Sequence, residues 1–71
     1  MSLIGDEDTW TADQIRSATS GELERELGRV LSWIECLRYE YSIPYRISRD
    51  AILEEIDRRI DAYQEELRAL R

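Results

Sequence analysis

The stretch LERELGRVLSWIECLRYEY, Leu23 to Tyr41, carries apolar side chains at Leu23, Leu27, Val30, Ile34, Leu37 and Tyr41, which lie 4, 3, 4, 3 and 4 positions apart. An alternation of threes and fours keeps all six on one seam of an α-helix. A second seam near the C-terminus answers it. Leu53, Ile56, Ile60, Tyr63, Leu67 and Leu70 follow spacings of 3, 4, 3, 4 and 3. Two long seams joined by a short connection predict an all-α antiparallel hairpin with a heptad pattern.

Local signals set the expected bounds. Thr11 and Gln14 have capping-box spacing, and Trp10 stands before the cap, opposite Ile15, as a hydrophobic staple requires. They predict a short helix over about residues 12–18, too short to stand alone. Thr19 and Glu22 repeat the capping spacing and start a long helix over about 20–41. Pro44 disfavours helical geometry in the residue before it. The reading therefore makes 42–48 a connection and 49–70 the last helix, capped by Ser48. Glu54–Arg58 and Glu55–Arg59 have the spacing of stabilising surface pairs. Residues 1–9 read as an acidic flexible tail and 10–71 as one helical domain.

The apolar surface is wider than a two-helix seam needs. Leu31 and Trp33 flank the first seam, and Ile52 flanks the second. Extra apolar flanks imply further neighbours, and a 71-residue chain is short of core. Self-association into a dimeric four-helix bundle is therefore expected. Leu27, Leu31, Trp33, Ile34, Ile52, Ile56 and Ile60 are the expected oligomer interface.

Charge narrows the function classes. There are 16 acidic residues against 10 basic ones, giving a net charge of −6. Such a chain is poorly matched to nucleic-acid phosphates or anionic lipid. No apolar run is long enough to cross a membrane. The first residues have no basic start followed by an apolar core, so they are not expected to form a secretory signal. Cys36 is the single cysteine, which fits a reducing compartment such as the cytoplasm. It reads as a packing residue, with an intermolecular disulfide as the alternative. The chain has no His, and Gly5, Gly21 and Gly28 are scattered. These features give no support to a catalytic triad, a phosphate loop or a zinc shell. Glu54, Asp57, Asp61 and Glu65 form an acidic stripe that reads as a solvated face. No enzyme activity, cofactor or metal is expected.

The locally basic connection is the strongest candidate for partner binding. Arg38, Tyr39, Tyr45, Arg46 and Arg49 combine the residue types enriched at interface hot spots. A helix-turn-helix reading of this region fails on Glu54, Glu55 and Asp57, which would repel phosphates. The expectation is a non-enzymatic interaction module or regulator that self-associates and binds a protein through this tip. The alternative is an acidic inhibitor that imitates nucleic acid and blocks a nuclease or DNA-binding protein.

Overall fold

The computed structural model describes residues 9–70. The expected acidic tail lies outside the described residues except for Thr9. Three helices follow in order: α1 Ala12–Ser17, α2 Ser20–Cys36 and α3 Tyr39–Ala69. Among the described residues there is no strand. The two long helices, α2 and α3, pack together, and α1 packs on α3.

Both capping boxes form. The Gln14 amide donates to Thr11 Oγ1 at 3.2 Å, while Thr11 N donates to Gln14 Oε1 at 2.8 Å. Glu22 N and Thr19 Oγ1 meet at 3.2 Å, and Thr19 N donates to Glu22 Oε1 at 2.8 Å. Each box satisfies amides that a helix start leaves open. Trp10, placed before the first cap, packs against the cluster of Ile15, Leu23 and Ile52.

The hairpin turns earlier than the sequence reading placed it. Helix α2 stops at Cys36, Leu37 and Arg38 are extended, and α3 starts at Tyr39. The expected connection, 42–48, is instead the first part of α3. Pro44 does not end a helix here; it sits in the second turn of one. Its missing N–H leaves the Glu40 carbonyl without a helical donor, and Glu40 is exposed to water. The early turn lets Tyr45 fold back onto Trp33, with ring centroids 5.9 Å apart and planes 19° from parallel.

That turn also sets which face of α3 meets α2. The buried residues of α3 are Ser42, Tyr45, Ser48, Ile52 and Glu55. They lie one position from the seam that begins at Leu53, about 100° around the helix. The small side chains of Ser42 and Ser48 occupy much of this face. The Ser48 hydroxyl is buried without a hydrogen-bond partner among the described residues. On α2, Leu23 and Val30 are fully buried. The central cluster is Ile15, Leu23 and Ile52, against which Leu27, Ala51 and Ile56 also pack.

Candidate interaction surface

Two surfaces emerge, one at the turn and one along the side of the hairpin. At the turn, Arg38 is the N-cap residue of α3 and supplies no capping side chain. Tyr39 is exposed, and the Arg46 guanidinium lies 4.9 Å from its ring centroid. Arg46 Nε also donates to Ser42 Oγ at 2.9 Å, and Ser42 Oγ donates to the Tyr39 carbonyl at 2.8 Å. Arg49 pairs with Asp50 at 3.0 Å. Arg38, Tyr39 and Arg46 therefore share one end of the molecule. Tyr45 does not belong with them on the surface. It is 3% exposed and sits beneath Trp33, because the early turn brings it inside. Sequence reasoning missed Ile43 and Ile47, both exposed on the same helix. Their spacing of four was hidden by reading 42–48 as a connection.

Along the side, the residues expected at an oligomer interface divide. Leu27, Ile34 and Ile56 are half-buried, while Leu31, Trp33 and Ile60 are exposed. Ile52 has no exposed surface and is removed from the interface set. It serves the core shared with Ile15 and Leu23. Leu27, Ile56, Ile60 and Tyr63 line an open groove of about 680 Å³ between α2 and α3. Leu53 and Leu67 continue the apolar row at either end, and both are exposed. The rim of the groove is polar, with Ser20, Glu24, Arg59 and Glu66.

A polar clasp at the rim of this groove joins α1 to α3. Glu55 is 7% exposed. Its carboxylate accepts from Arg59 Nε at 2.8 Å and from Arg58 Nη1. Arg58 thus joins Glu55, where the sequence spacing had paired it with Glu54. Arg59 reaches further, donating to the carbonyls of Ala18 at 2.7 Å and Arg16 at 3.1 Å and to Ser20 Oγ at 3.2 Å. A single guanidinium therefore closes the C-terminal end of α1 and ties the α1–α2 corner to α3. The preference of cations for helix C-termini acts in the same direction.

The Arg59 hydrogen bond, aided by the charges of Arg58, Arg59 and Arg16, holds the Glu55 carboxyl below its ordinary value despite burial. The Thr19 backbone and hydroxyl bonds, with Arg25 nearby, lower Glu22 in the same direction. A carboxylate whose pKa is lower in the folded state adds stability above its unfolded value and loses it as pH falls through the folded one. Thermal melts are therefore expected to move to lower temperature as pH drops below about 4.5, the ordinary carboxylate value. Glu55→Gln is expected to start less stable at neutral pH and to lose less on acidification. An equal acid loss in the parent and Glu55→Gln would remove Glu55 from this account.

The remaining sequence candidates are simpler. Cys36 is exposed at the end of α2 and not packed as expected. Within the acidic stripe, Glu65 pairs with Arg68 at 2.9 Å. Among the described residues, no group of three or more His, Cys, Asp or Glu is placed to hold a metal ion. No described helix is long and apolar enough to cross a membrane.

Taken together, the fold and its surfaces define a small all-helical hairpin with one open apolar side and an aromatic, basic tip. In comparisons with known proteins, the chain matches no family, no curated protein and no solved structure.

Proposed function

We propose that this protein is a non-enzymatic protein–protein interaction module that self-associates through the open side of the hairpin and binds a protein partner through the tip. The observation that carries the reading is the position of the Leu53–Leu70 seam. The strongest apolar repeat of α3 faces outward, with Leu53, Ile60, Tyr63 and Leu67 all exposed. Contiguous exposed apolar surface of this kind marks interaction sites. Two hairpins meeting along this side would complete a four-helix core. Arg38, Tyr39, Arg46 and Arg49 remain outside such a core and form the proposed partner-binding tip. The exposed single Cys36 suits a reducing compartment, and the proposed location is the cytoplasm. Nucleic-acid mimicry is the weaker reading. Glu26, Glu55 and Glu65 each hold an arginine, which breaks the acidic surface into neutralised patches.

Light scattering over micromolar to millimolar concentration tests the self-association. The parent is expected to show the mass of two chains. Ile60→Glu, which places a charge on the half-exposed seam, is expected to give one chain with helicity retained. A single-chain mass for the parent throughout this range would overturn the proposal.

A further inference from the structure

We draw no further inference here: the strongest candidate, the open apolar groove between α2 and α3 lined by Leu27, Ile56, Ile60 and Tyr63, belongs to the surface already described, and nothing in the structure shows what covers it.

Discussion

Ile52→Ala is expected to leave much of the chain unfolded at physiological temperature. Ile52 is fully buried and joins α3 to Ile15 of α1 and Leu23 of α2. Truncating such a side chain costs about 2–5 kcal/mol, the transfer term plus the cavity left behind. A domain of this size has roughly 4–10 kcal/mol in all. Few side chains are available to absorb the loss, since the buried apolar residues among those described are Ile15, Leu23, Val30, Tyr45 and Ile52. Circular dichroism is expected to show reduced helicity and a much lower melting temperature. Ile60→Ala, on the exposed seam, is expected to preserve the single-chain fold. If Ile52→Ala melted like the parent and changed only the mass in solution, the assignment of Ile52 to the core would be wrong.

Arg59→Ala is expected to lower the melting temperature by about 10 °C or more and to release α1. Hydrogen bonds to charged groups contribute about 1.5–3 kcal/mol, and each kcal/mol moves the midpoint by about 4–8 °C in a small domain. The substitution also removes one partner of buried Glu55 and the donors to the carbonyls of α1. Arg59→Lys is expected to recover little. An ammonium cannot reach Glu55, the α1 carbonyls and Ser20 together as the planar fork does. Trp10 reports the release directly, because it precedes α1 and packs against the cluster of Ile15, Leu23 and Ile52. In a Trp33→Phe background its fluorescence is expected to shift to that of exposed indole. An unchanged emission and melting temperature would show that α1 is held by Ile15 and Trp10 alone.

These two residues also show what the sequence could reveal. The capping boxes at Thr11 and Thr19 were legible because all their atoms lie within four residues. Helical periodicity was equally legible, and it identified both long helices. The turn was not, because Leu37 and Arg38 carry no Gly, Asn or capping signal. Pro44 supplied a misleading stop. A proline is tolerated where a new helix has just begun, and α3 begins at Tyr39, five residues before Pro44. The facing side of α3 followed from the turn, so the burial of Tyr45 and Ile52 was misread with it. Arg59 was legible only as a partner for Glu55. Its bonds to Ala18 and Ser20 span 41 and 39 positions, a proximity that no local pattern encodes. The groove was legible in part, because the flanking Leu31 already signalled more apolar surface than one hairpin can cover.

The two ends of the hairpin differ in what the chain gives up to join them. Trp33 and Tyr45 are 12 positions apart, whereas Arg59 and Ser20 are separated by 39. Closing the larger ring from an open chain costs about 1 kcal/mol more in conformational entropy. Once the rings of Trp33 and Tyr45 are stacked, the remaining segments are already aligned and much of that extra cost has been met. The aromatic pair is therefore the hinge pin of the molecule and the guanidinium its latch. The latch operates on a ring that the pin has already made small.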